Sequence, residues 1–191
     1  MNENMPNMEE LSQISLSKQL MEARIISVFG EINQKVSRAV TERLLVLDNK
    51  SDDEIKIIIN SQGGHVESAD TIFDMINFVK APVKVIGTGW VASAGALIYA
   101  APPIGKRFCL PNTRFLLHQP SGGVGGAAVD IDIEAREMIK MRQRLNKILA
   151  EQTKQTIEKV EKDTNRNFWM NAEEAKKYGL VGKIIKSIKD A

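Results

Sequence analysis

EIKIIINSQGGHVESADTIFDMINFVK, residues 54–80, changes its hydrophobic period once along its length. Ile55 to Ile59 forms a β-branched run of the kind found in strands buried on both faces. Asn60 to His65 interrupts it with two adjacent glycines. From there Val66, Ala69, Ile72, Phe73, Ile76 and Val79 fall three or four residues apart, the stripe of one helix face. Strand, glycine turn, helix is therefore the unit. PVKVIGTGW (82–90) repeats the strand with its own closing glycines, and VASAGALIYAA (91–101) follows as a helix of small residues. Two such units in tandem predict parallel pairing and an α/β fold.

The pattern extends outward on both sides. ARIISVFGEI (23–32) reads as a strand entering a turn at Gly30, and VSRAVTERLLVLDNK (36–50) carries Val36, Val40, Leu44, Leu45 and Leu47 near helical spacing. RFCLPNTRFLLHQP (107–120) supplies two strand-like runs broken at Pro111-Asn112. SGGVGGAAVD (121–130) holds four glycines in ten residues, too many for a helix. From Ile131 a long amphipathic helix begins, with Ala135, Met138, Leu145, Ile148 and Leu149 in phase. KVEKDTNRNFWM (159–170) reads as the end of a charged helical run and a loop. NAEEAKKYG (171–179) predicts a helix with Asn171 as N-cap, Glu174 at the capping-box position and Gly179 after its end. LVGKIIKSI closes the chain as a strand. Residues 1–16 show little periodicity and are expected to be a flexible N-terminal segment, leaving residues 17–191 as a single domain.

Composition narrows the function classes. The 191 residues are 43% hydrophobic and 26% charged, enough for one sizeable core. The 26 basic and 24 acidic side chains are interspersed, so charge makes no case for nucleic acid or a membrane surface. The start lacks the basic and apolar regions of a signal peptide, and no apolar run reaches spanning length, so a cytoplasmic location is expected. Cys109, the single cysteine, lies in the apolar run RFCL and reads as a small buried hydrophobe rather than a nucleophile.

Chemistry concentrates in three places. GWVASAGA puts Ser93 just after a glycine-punctuated strand among residues with almost no bulk. A nucleophilic hydroxyl needs such a turn, which exposes Oγ, admits a substrate and aims helix N-terminal N–H groups at a developing oxyanion. Tight helix packing would also use small residues. The turn at Gly63-Gly64 ends the neighbouring unit and offers a second bare N–H beside the same spot. The chain has two histidines. His65 opens a helix, where the positive dipole end disfavours imidazolium. His118 ends the apolar strand of FLLHQP and is the favoured base.

INSQGG, the GxxxSxG of GWVASAG, GKRFCLPNTRFLLHQP, SGGVGG, DIEARE, EKDTNRN and AEEAKKYGLV together, in this order from about residue 22 to the end, closely resemble the caseinolytic protease proteolytic subunit family, ClpP. The resemblance implies a ClpP/crotonase fold, in which repeated βα units carry a protruding handle helix and strand. It implies a serine endopeptidase that hydrolyses unfolded polypeptide to short peptides. Such subunits assemble as heptameric rings stacked into a tetradecamer, fed by an AAA+ unfoldase of the ClpX, ClpC or ClpA type. Position by position, Ser93 aligns with the nucleophile and His118 with the general base. Gly64 and Ala94 align with the oxyanion-hole residues, Gly122 and Gly123 with the strand that pairs with extended substrate, and the helix from Ile131 with the handle. The resemblance implies no metal and no cofactor in this chain, the ATP being consumed by the unfoldase.

The sequence also departs from the family. The third triad residue, usually an aspartate, falls on Asn167. An amide can accept from the His118 Nδ1–H but brings no charge for the imidazolium formed on attack, so low or conditional activity is expected. Asp163 is a candidate substitute acid four residues earlier. Asn165 replaces an often acidic neighbour of Arg166, the residue aligned with a ring–ring contact, and Gly125 and Ala127 stand where the handle strand usually has glutamines. These features predict a divergent second paralogue that needs an ordinary ClpP subunit for full activity. Two rival readings are a catalytically idle ring subunit and a crotonase-type acyl-CoA enzyme.

Overall fold

The computed structural model describes residues 8–190. Residues 1–7 of the segment expected to be flexible lie outside the described residues. From Met8 the backbone is already helical, as α1 (Met8–Glu22). The segment has no glycine or proline and is rich in Glu, Leu, Met and Gln, so propensity favours a helix even where no apolar stripe announces one.

A seven-stranded sheet forms the centre. Strands β1 (Ile25–Ile32), β2 (Ile55–Gly64) and β3 (Val83–Ala92) run parallel, with β4 (Arg107–Cys109) and β7 (Lys183–Ile184) continuing the sheet beyond β3. Helices α2 (Gln34–Lys50), α3 (Val66–Phe78) and α4 (Ala94–Tyr99) make the crossovers. The β-branched run at Ile55–Ile59 is the reason for this arrangement. Ile55, Ile57 and Ile59 are completely buried and meet Leu44, Leu47, Ile72 and Val85 in one core. Each such side chain removed from water contributes about 1.5–3 kcal/mol. The α/β class and the tandem βα units are those expected.

The sheet kinks at a common level. The β1–β2 ladder shifts register between Phe29 and Glu31, around Gly30 at φ 78°, and β2–β3 shifts between Ile59 and Ser61. At the same level β3 exchanges partners. Val85–Gly87 pair with β4, whereas Trp90–Ala92 pair with β5 (Arg114–Leu117), and the Gly87 carbonyl accepts from Leu110 N–H and the Thr113 hydroxyl in between. The strand ends beyond the kink, Ser61–Gly64, Val91–Ala92 and Leu116–Leu117, carry the site.

The second half of the chain differs more from expectation. Helix α5 (Ala128–Thr153) begins three residues before Ile131, and only Asn146, Leu149, Ala150 and Thr153 at its far end are buried. At about 1.5 Å per residue it is roughly 39 Å long, and its first half projects from the domain. The glycine-rich segment 121–126 forms no strand: its glycines favour no single backbone conformation, and among the described residues no strand edge pairs with it. KVEKDTNRNFWM is not a loop throughout. It contains most of α6 (Ile157–Thr164), capped by Thr156, and strand β6 (Phe168–Met170), antiparallel to β5. Helix α7 (Ala172–Tyr178) has the full capping box between Asn171 and Glu174, and Gly179 follows at φ 89°. Among the described residues no helix is long and apolar enough to cross a membrane.

One partly buried ion cluster ties the starts of the central strands β2 and β3 to the segment before β4. Glu54 bridges Lys84 at 2.6 Å and Lys106 at 2.5 Å, and Lys84 is 7% exposed. Partial burial by itself raises the Glu54 carboxyl, but the hydrogen bonds from Lys106 and Lys84 outweigh it and hold the group below the ordinary carboxylate range. A depressed folded pKa contributes stability above the unfolded pKa and loses it as pH falls through the folded value. Glu54→Gln leaves the Lys84 ammonium without its anion. Because Glu54 and Lys106 are partly exposed to screening solvent, it is expected to cost about 1–2 kcal/mol at neutral pH in urea denaturation, with the gap to wild type closing as the pH is taken below the carboxylate range.

Candidate active site

Ser93 occupies the turn between β3 and α4 with φ 55° and ψ −122°, a conformation L-residues rarely adopt. Such strain persists only where surroundings fix it. Here the Ser93 N–H donates to the Leu116 carbonyl at 2.9 Å, fastening the turn to β5. That strand delivers His118 two residues later, and His118 Nε2 lies 2.7 Å from Ser93 Oγ. The short, small-residue turn GWVASAGA thus places the hydroxyl within reach of an imidazole, at hydrogen-bonding distance for proton transfer.

The third residue arrives by strand register. Phe115, Leu116 and Leu117 pair with Met170, Trp169 and Phe168, so the next step of the ladder sets His118 opposite Asn167. Asn167 Oδ1 lies 3.1 Å from His118 Nδ1. Asp163 is elsewhere, on α6, where its carboxylate binds Lys159 at 2.7 Å. His65 is engaged away from the serine: Nδ1 faces the Ser68 hydroxyl at 2.9 Å and Nε2 faces Glu67 at 3.2 Å. Cys109 is buried, and desolvation pushes its thiol up to about 12, leaving it protonated and unreactive.

Gly63 stands against Ser93 and Gly64 follows it against β1, at φ 100° and 149°. A Cβ on Gly63 would stand 2.7 Å from Ser93 Cβ, and one on Gly64 would stand 2.2 Å from the Ile32 carbonyl oxygen, so neither position admits a side chain. The Ala94 N–H, at the first turn of α4, is among the donors that a helix leaves without an intrahelical partner. Bare backbone from two βα turns therefore converges beside the serine. A pocket opens between Ser93 and α5, lined by Val66, Leu97, Leu117, Leu145 and Leu149 with Asn146. A second hollow continues from Gly64 and Val66 along Gly122 and Gly123 to Met138 on α5. Arg166 is exposed in the turn between α6 and β6.

Some contributors gave no sequence signal of their own. Ser61, wholly buried, accepts from the Gly63 N–H at 3.0 Å and donates to the Gly30 carbonyl at 2.6 Å, holding the glycine turn open. The Leu116 carbonyl acts through backbone alone, which no side-chain pattern reports.

A serine hydroxyl held to an imidazole, which is in turn held to an amide, at the end of a parallel βα sheet defines a serine hydrolase of the α/β class. Comparison with known proteins narrows this. The Clp protease family model matches residues 7–188, and the chain belongs to the Clp protease family. It is 63% identical over 174 residues to ATP-dependent Clp protease proteolytic subunit 2 of Gluconobacter oxydans, spanning 90% of this chain and 78% of that one. It is 58% identical over 171 residues to subunit 3 of Rhizobium etli, spanning 90% and 88%. Among solved structures, ClpP1 from Listeria monocytogenes superposes with a TM-score of 0.83 at 50% identity, covering 92% of this chain and 98% of that one. An asparagine-to-aspartate mutant of the same Listeria protein gives a TM-score of 0.86, also at 50% identity, covering 91% and 98%.

Proposed function

We propose that this chain is the serine endopeptidase subunit of a barrel-shaped, ATP-dependent protease, with Ser93 as nucleophile, His118 as general base and Asn167 as its orienting partner. The observation that carries the reading is the continuous contact from Ser93 Oγ to His118 Nε2 at 2.7 Å and from His118 Nδ1 to Asn167 Oδ1 at 3.1 Å. An Asn oxygen facing Nδ1 fixes the proton there and leaves Nε2 with its lone pair toward the serine, the tautomer a base requires. His118 takes the Oγ proton as oxygen attacks the peptide carbonyl, and the Gly64 and Ala94 N–H groups receive the oxyanion. His118 then returns the proton to the leaving amine, and water repeats the cycle on the acyl-enzyme.

Gly122 and Gly123 offer main-chain donors and acceptors to an extended unfolded polypeptide, which suits β-augmentation that reads backbone rather than sequence. The apolar lining beside Ser93 favours an apolar side chain before the scissile bond. Val129, Ile131, Ile133 and Ile139 on the projecting half of α5 are 40–70% exposed, a surface that asks for a partner copy and supports stacked heptameric rings, with Arg166 at the ring junction. An AAA+ unfoldase of the ClpX, ClpC or ClpA type would deliver substrate. Relatives named subunit 2 and subunit 3 suit a paralogue that works beside a second ClpP subunit, and the amide at Asn167, which brings no charge to His118, is the ground for low or conditional activity alone. A fluorophosphonate probe tests the chemistry. Ser93 is expected to be the labelled residue in the assembled protein, and turnover of an acyl-CoA by a chain whose Ser93 stays unlabelled would instead favour the crotonase-type reading.

A further inference from the structure

The β5–β6 ladder ends at Leu117↔Phe168, one step before His118 and Asn167 face each other. β6 has three residues, and the last step of so short a ladder frays readily. The His118–Asn167 contact is also exposed, and the amide brings no charge to it, so water competes for both of its members. The register sets the two residues opposite each other, and the ladder stops one step short of them.

Gln119 closes the open end. Its N–H donates to the Thr164 carbonyl at 2.6 Å, and its side-chain Nε2 donates to the Asn165 carbonyl at 2.7 Å. The residue after the base is thereby fastened to the two residues that begin the turn to Asn167. That turn is anchored from behind as well. The Thr164 hydroxyl, buried, lies 2.8 Å from the Val160 carbonyl and 2.9 Å from the Asn146 side-chain oxygen on α5. The His118–Asn167 pair sits between the ladder on one side and this brace on the other.

We propose that Gln119 is a positioning residue for the reaction, holding the 164–167 turn so that Asn167 keeps His118 in its productive tautomer and orientation. It acts through backbone it touches and does not reach the substrate. The inference rests on the Ser93–His118–Asn167 reading. An aspartate would hold the imidazole through a charge-assisted bond about twice as strong as a neutral one, so the brace has most to do where the third residue is an amide.

The test is a double-mutant cycle on the assembled protein. Gln119→Met keeps the side chain's length and removes its donor, and Gln119→Glu, which also removes the donor while keeping a polar, hydrated group, guards against misfolding. Each is measured beside native Asn167 and in the Asn167→Asp background. The readouts are the rate of fluorophosphonate labelling of Ser93, kcat and KM on a fluorogenic peptide, and Tm. With native Asn167, labelling and kcat are expected to fall about tenfold, the scale of one net hydrogen bond, with KM little changed. In the Asn167→Asp background the fall should be under about threefold, because the carboxylate orients the ring itself. Unchanged rates, equal falls in the two backgrounds, or a loss confined to KM would overturn the positioning role. A wild-type protein whose Ser93 resists the probe overturns the serine-peptidase reading instead, a result distinct from a labelled wild type that ignores Gln119.

Discussion

Asn167→Asp is expected to raise kcat/KM for peptide hydrolysis about 10- to 100-fold in the assembled protein. The reverse change in a serine-protease triad lowers turnover about 10⁴-fold, which sets the upper limit, and most of that loss comes from the wrong histidine tautomer. In this chain the amide oxygen, at 3.1 Å from His118 Nδ1, already favours the right one. What aspartate adds is charge and exclusivity. A carboxylate stabilises the imidazolium formed on attack, while the exposure of this pair reduces that gain through solvent screening. A carboxylate also only accepts, whereas an amide can turn its NH2 toward Nδ1 and place the ring proton on Nε2, where it blocks the base. The check is kcat and KM for both proteins under conditions where sizing shows equal assembly. An unchanged kcat would mean that proton transfer does not limit turnover, and the cause of any low activity would then lie in assembly or substrate entry.

The residues that carry the site differ in how plainly the sequence announces them. Ser93 and Gly63-Gly64 stand at places where hydrophobic period switches from strand to helix, and both turns need residues without bulk, so chemistry and backbone geometry leave the same mark. His118 is marked by ending an apolar strand. Asn167 is legible only by alignment with a family pattern, because what places it opposite His118 is the β5–β6 register, and FWM is too short to show period 2. The same shortness makes a loop the natural reading of residues 159–170, although Thr156 and Val160 set a helix there. Ser61, Gln119 and the Leu116 carbonyl act on backbone groups distant in sequence, and no local pattern could report them. The projecting half of α5 shows the opposite case. Its apolar spacing from Ile131 is clear, yet the spacing cannot say that the first half of the helix, with Val129, Ile131, Ile133 and Ile139, is exposed in one chain while only its far end reaches the core.

Ser93→Ala has the largest expected effect and decides whether this chain turns over substrate at all. The change removes only Oγ, at a φ that alanine and serine tolerate equally poorly, among neighbours already small, so folding and assembly should persist. Removing the nucleophile from a complete triad costs about 10⁶-fold in kcat. On the proposed Ser93–His118–Asn167 reading, a triad with an amide in place of the carboxylate would start lower and have less to lose, so a fall of at least about 10⁴-fold is expected, to the level left by the oxyanion donors and binding. Fluorophosphonate labelling should vanish with it. The measurement is sharpest in a mixed particle whose other ClpP subunit has lost its own serine, so that Ser93 is the remaining nucleophile. Peptide hydrolysis should then be detectable with native Ser93 and absent with alanine. Equal rates for the two particles would make this chain an idle ring member, and the 2.7 Å contact between Ser93 and His118 would be a remnant without turnover.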